Sequence, residues 1–181
     1  MHYLHLAVRG KGNGKPIEHL IFADVSGEQF RIIRDSEAEM LKFNVLKRAD
    51  YIFYVVNGEH LIDLDTRQKT KFNSVRLIQR AIENKMLSDT VPFEVVISKL
   101  DKIQGHIDSV NSFFVTDLKS KFPDHLKGFS YVASRSVTHG IGAGQGIDEL
   151  LNKILESKRE EKVSVVGNDL KREFHKSNAT L

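Results

Sequence analysis

Asp24-Val25-Ser26-Gly27 follows the apolar run His19–Ala23. A carboxylate in that place can hold a hydrated Mg²⁺, and a glycine three residues later lets a backbone N–H approach a terminal phosphate. The same four residues also suit a plain strand-to-turn junction, because Asp and Gly are turn formers. Ser98-Lys99-Leu100-Asp101 follows a second apolar run, Phe93–Ile97. A fixed Asp101 carboxylate can accept hydrogen bonds from both the N1–H and the N2–H₂ of guanine, an edge that adenine does not offer. The Lys99 stem can lie along the base plane. The competing role is a helix N-cap, which Ser98 or Asp101 would fill. Ala133-Ser134-Arg135 closes a third run, Phe129–Ala133, and there a backbone N–H could bond the guanine O6.

These clusters are informative only if strands deliver them. His19–Ala23, Tyr51–Val56 and Phe93–Ile97 each have the length and apolar content of a buried strand, and Phe129–Ala133 is a weaker fourth. Between them, apolar residues recur every three or four positions. Val75, Ile78 and Ile82 mark one helix face; Val110, Phe113, Phe114 and Leu118 mark a second. Ile147, Leu150, Leu151, Ile154 and Leu155 mark a third. Strands alternating with helices predict βαβ crossovers and a mostly parallel α/β sheet covered on both faces. In such a sheet the ligand site lies at the carboxyl ends of the strands, where the three clusters fall. The chain begins differently: Tyr3–Arg9 alternates, Gly10–Gly14 is a Gly/Asn-rich turn, and the His19 strand follows, which predicts an antiparallel hairpin.

Taken in order, Asp24-x-x-Gly27, Ser98-Lys99-x-Asp101 and Ala133-Ser134-Arg135 resemble the G3, G4 and G5 elements of P-loop GTPases over residues 3–158. Arg48–Asn57 resembles the strand after switch II, and Gly144–Leu151 the opening of the last helix. The wording Asp24-Val-Ser-Gly-Glu28 is most similar to the bacterial double-GTPase families of multi-gene conflict systems. The resemblance implies GTP or GDP and Mg²⁺ as ligands. Asp24 would anchor the metal, and the Gly27 N–H would sense the γ-phosphate. Lys99 would stack on the base, Asp101 would read guanine, and Ser134 with Arg135 would close the pocket. Ser98 stands where Asn or Thr is usual, a shorter tether. Glu28 stands where a water-orienting Gln is common, with Gln29 one step later, which leaves water activation to these two.

The pattern also lacks a part. No Gly-x-x-x-x-Gly-Lys-[Ser/Thr] occurs in the sequence. Gly10-Lys-Gly-Asn-Gly-Lys-Pro16 is a look-alike with one residue too few between its outer glycines and Pro16 in place of the hydroxyl. It precedes a strand rather than a helix, so it is a hairpin turn. In the superfamily the strand before the phosphate loop lies between those that here are His19–Ala23 and Tyr51–Val56. Its absence would leave two facing, unpaired edges. The expectation is therefore an incomplete GTPase-like domain over residues 1–158, with its central first strand and phosphate loop missing, and a charged extension over residues 159–181. Lys162–Gly167 is strand-like and could fill the gap by permutation; a solvated tail is the plainer reading.

Other chemistries are excluded or weakly supported. The absence of cysteine removes disulfides, thiolate metal sites and Cys nucleophiles. No His-Glu-x-x-His and no Gly-x-Ser-x-Gly occurs, and the histidines His5, His19, His60, His106, His125 and His139 are scattered. Gly140–Gly146 has Gly-x-Gly spacing but follows the fourth strand late in the chain, with no further βαβ unit to present an acidic residue to a ribose. The formal charge of +3 is too small, and the C-terminal lysines too interleaved with acids, for a nucleic-acid arm. No apolar run approaches membrane-spanning length and no signal peptide is visible, so the expected compartment is cytoplasmic. Two functions are expected. One is a guanine-nucleotide-binding GTPase-like domain that hydrolyses GTP only when an upstream or partner phosphate loop completes it. The other is a non-catalytic GTPase-like interaction module.

Overall fold

The computed structural model describes residues 2–9, 17–43, 45–87, 90–133, 142 and 144–156. The Gly10–Pro16 turn, Ser134, Arg135, His139 and the segment after Glu156 lie outside these residues. β1 (His2–Arg9) and β2 (Ile17–Asp24) pair antiparallel from His2↔Asp24 to Arg9↔Ile17. Period-2 alternation sorts the ladder: Leu20 is buried on one face, while His5, Ala7, His19 and Ile21 are exposed on the other. On that exposed face His5 Nε2 and His19 Nδ1 lie 2.9 Å apart.

β3 (Ile52–Asn57), β4 (Phe93–Ser98) and β5 (Leu126–Val132) form a parallel sheet in the order β3-β4-β5. Phe93 through Ile97 are all buried, as a central strand covered on both faces requires. The register places Asn57 beside Ser98 and Ser98 beside Val132, so three carboxyl ends finish in line. The result is a mixed α/β fold with a parallel sheet and a separate hairpin. Among the described residues β2 pairs only with β1, and β3 only with β4, leaving one edge of each without a strand partner.

Two serines organise the segment between β2 and β3. Ser26 Oγ accepts from Gln29 N (3.3 Å) to cap α1 (Gly27–Asp35), and Ser36 Oγ accepts from Glu39 N (3.4 Å) to cap α2 (Glu37–Lys42). α3 (Glu59–Ile62) and α4 (Arg67–Glu83) join β3 to β4. Helix α4 buries Ser74, Leu77, Ile78 and Ala81; of the expected face Ile78 is buried, while Val75 and Ile82 flank it half-buried against the core. The main core runs from Ile33 and Met40 through Val56, Ile78, Val95 and Ile97 to Phe114 and Leu118.

The segment from Leu100 holds the one helix that Val110, Phe113, Phe114 and Leu118 predict, helical throughout residues 107–121, with a π turn in its middle and an irregular approach before it. It runs through α5 (Leu100–Ile103), a 3₁₀ turn (Gln104–His106), α6 (Ile107–Val110), a π turn (Asn111–Val115) and α7 (Thr116–Lys121). Thr116 Oγ1 donates to Asn111 O at 3.0 Å and Ser112 Oγ to Ser109 O at 3.1 Å, side-chain bonds that compete with a regular ladder. Val110, Phe114 and Leu118 are buried nonetheless. The fourth strand starts at Leu126 rather than Phe129 and stops before Ala133. Helix α8 (residues 147–156) buries Ile154, but Ile147 in its first turn is exposed. Among the described residues no helix is long and apolar enough to cross a membrane.

Candidate functional site

The aligned ends of β3 and β4 are joined by two hydrogen bonds. Gly58 N donates to Ser98 O at 3.1 Å, and Ser98 Oγ donates to Val56 O at 3.1 Å. A Cβ at position 58 would sit 2.5 Å from Ser98 O and 2.8 Å from Ile103 Cδ1, so only glycine permits this approach. Ser98 is thus a tether despite its length, acting on strand β3.

Beyond Ser98 the backbone turns through Lys99, at φ 61° and ψ 42°. A left-handed lysine costs about 1–2 kcal/mol and persists only where its surroundings impose it. Lys99 O then accepts from Lys102 N at 2.9 Å, opening α5. Asp101 lies in that first turn and is 7% exposed. Neither Ser98 nor Asp101 caps α5, since Lys99 occupies the cap position and no side chain bonds there. The Lys99 ammonium pairs with the Glu59 carboxylate from the first turn of α3. Glu59 N in turn donates to Asn57 Oδ1 at 3.1 Å, and Asn57 Nδ2 lies 3.3 Å from His60 Nε2.

The end of β5 is held from the other side. Ala133 N donates to Gln145 O at 2.9 Å, in the turn leading to α8. Gly146 in that turn has φ +89°, and a Cβ there would fall 2.2 Å from Tyr131 O. Ser134 and Arg135, next in sequence after Ala133, lie outside the described residues.

The second cluster sits at the junction of β2 and α1. Asp24 closes β2, and Gly27 is the first residue of α1, where an added Cβ would meet nothing within 4 Å. That open approach above a helix N-terminus suits an anion. Glu28 and Gln29 diverge. The Glu28 side chain is 76% exposed and 3.9 Å from Arg31, whereas Gln29 is half-buried and its Oε1 is buried with no hydrogen-bond partner. The described residues hold no group of three or more metal-ligating side chains.

The structure therefore brings Ser98, Lys99 and Asp101 together at one strand end, and Asp24, Gly27, Glu28 and Gln29 at another. Asn57, Gly58, Glu59 and His60 join the first group without having been singled out from sequence. Their signal was available: a polar residue and a glycine directly after the Tyr51–Val56 run mark a second strand end. No curated protein matches the chain. The family model for Double-GTPase 2 matches residues 1–155, with both strand-end clusters inside the match. The chain belongs to the Double-GTPase 2 family, a P-loop-GTPase-like family.

Proposed function

We propose that the chain is a guanine-nucleotide-binding GTPase-like domain. The observation that carries this reading is Asp101, a buried carboxylate two residues beyond the left-handed Lys99 at the carboxyl end of the central strand. Asp101 accepts from the guanine N1–H and N2–H₂, and the Lys99 stem lines the base. Ser134 and Arg135 close the pocket after β5. At the β2–α1 junction Asp24 is the residue that would hold Mg²⁺, an ion that takes only one or two protein carboxylates. The Gly27 N–H meets the terminal phosphate, and Glu28 and Gln29 stand where the attacking water is oriented. Bound Mg²⁺ supplies neutralisation of the phosphate charge. The 181 residues contain no phosphate-loop motif. Hydrolysis therefore depends on a phosphate loop contributed by a further segment or a partner.

A non-catalytic docking module is the second reading, favoured by the β2 and β3 edges that have no strand partner among the described residues. Ligand-observed NMR titration with GDP, GTP and ATP, with and without Mg²⁺, separates the two. The nucleotide reading expects guanine-selective binding that Asp101→Asn abolishes. Equal binding of GDP and ATP, or none at millimolar nucleotide, leaves the docking module.

A further inference from the structure

We infer that Glu59 is the positioning residue of the guanine pocket, acting through Lys99; the inference rests on the nucleotide reading above. A lysine stem is a poor wall for a planar base when it is free, because its rotamers must be frozen on binding. Here the ammonium is tied to Glu59, so the stem is laid out from the end of β4 to the start of α3 before any ligand arrives. The backbone supports the same arrangement from both ends. Lys99 is held left-handed, and Glu59 is fixed by the Glu59 N to Asn57 Oδ1 bond, one residue beyond the Gly58–Ser98 lock. The pair also neutralises the ammonium, which leaves Lys99 to act on the base as an apolar rail with its charge already satisfied. Nothing in the fold itself requires the pair: the two side chains are 41% and 36% exposed, and such pairs contribute little to stability.

The test uses the full chain with GDP as the probe and ATP as the control. Glu59→Gln is expected to weaken GDP about tenfold, or about 1.4 kcal/mol, with the thermal midpoint moved by less than about 3 °C. Glu59→Asp, which keeps the charge, recovers part of the loss. In a Lys99→Met background, Glu59→Gln produces no further loss, because its route of action is gone. Unchanged GDP binding by Glu59→Gln overturns the inference alone. An equal loss in both backgrounds overturns the route through Lys99. A wild-type chain with no preference for GDP over ATP overturns the nucleotide reading and this inference with it.

Discussion

Lys153 Nζ donates to the Glu94 carboxylate at 2.5 Å, and Glu94 is 2% exposed on the central strand. Lys153 rides on α8, so one ion pair joins the last helix to the middle of the sheet. Two hydroxyls complete the shell. Tyr51 Oη donates to Glu94 at 2.9 Å, and Ser130 Oγ donates to the same carboxylate while accepting from Lys153 at 2.7 Å. Glu94 is the second residue of β4, near the amino end of the strand and away from Asp101. The cluster therefore organises the sheet from the end remote from the candidate site.

Removing one member of this cluster strands the others. Lys153→Met leaves a buried carboxylate without its cation, at an expected cost of about 2–4 kcal/mol, reduced by the partial exposure of the lysine. Glu94→Gln with Lys153→Met replaces the pair by a neutral set and is expected to lose less than the single lysine variant. Urea unfolding of the three proteins measures the difference. A double variant less stable than Lys153→Met would show that the charge pair itself, rather than the stranded carboxylate, dominates.

Tyr51 gives the same cluster a pH signature. Burial, and then the hydrogen bond to Glu94, push its phenol well above the usual tyrosine range. The unfolded chain ionises its tyrosines near about pH 10, whereas folded Tyr51 holds its proton. The folded state thus binds more protons above that pH, and stability falls as pH rises through the alkaline range. The contribution is fully present below about pH 10. Tyr51→Phe should lower stability at neutral pH and flatten the alkaline slope; urea midpoints between pH 8 and 11 read both. An unchanged slope would assign the alkaline loss to Tyr54 and Tyr131, which burial also raises.

Exposure separates two helical phenylalanines, in line with the spacing that puts Phe114, and not Phe72, on an apolar face. Phe114 is 0% exposed and Phe72 is 62% exposed. Phe114→Ala is expected to cost about 3–5 kcal/mol through the cavity it leaves. Phe72→Ser should fall within about 0.5 kcal/mol of wild type. Chemical denaturation distinguishes them; a large loss from Phe72→Ser would mean that α4 packs against a surface beyond the described residues.

Much of this architecture was legible because it rests on local pattern. The Phe93–Ile97 run reads directly as a doubly covered strand, and Tyr3–Arg9 with His19–Ala23 reads as a hairpin. Asp24, Gly27, Lys99 and Asp101 were singled out because they follow apolar runs read as strands, and those strands do end at Asp24 and Ser98. The helix over residues 107–121 was legible from its buried positions, but the 3₁₀ turn before it and the π turn within it were not, since Asn111, Ser112 and Thr116 redirect individual bonds without changing the spacing. Glu59 escaped notice for a different reason. Its importance comes from Lys99, forty residues away in sequence, and the parallel register of β3 and β4 brings the two together. Periodicity is blind to such pairs.

That register also makes the sharpest prediction about the candidate site. Gly58 sits between β3 and α3 and Gly105 in the 3₁₀ turn between α5 and α6, and their surroundings are opposite. A methyl at 58 would drive into Ser98 O at 2.5 Å, whereas one at 105 meets nothing within 4 Å. Gly58→Ala must part the ends of β3 and β4, breaking the Gly58 N to Ser98 O bond and displacing the Glu59–Lys99 pair one residue on. Overpacking of this kind costs about 1–3 kcal/mol. Gly105→Ala should be neutral or stabilise by about 0.4–1 kcal/mol, because it restricts only the unfolded chain. Urea midpoints give the stability difference, and hydrogen exchange at the Gly58 amide in wild type gives the strength of the lock being broken. A Gly58→Ala chain as stable as Gly105→Ala would mean that the two strand ends are not held at this distance, and the preset Lys99 rail would lose its foundation.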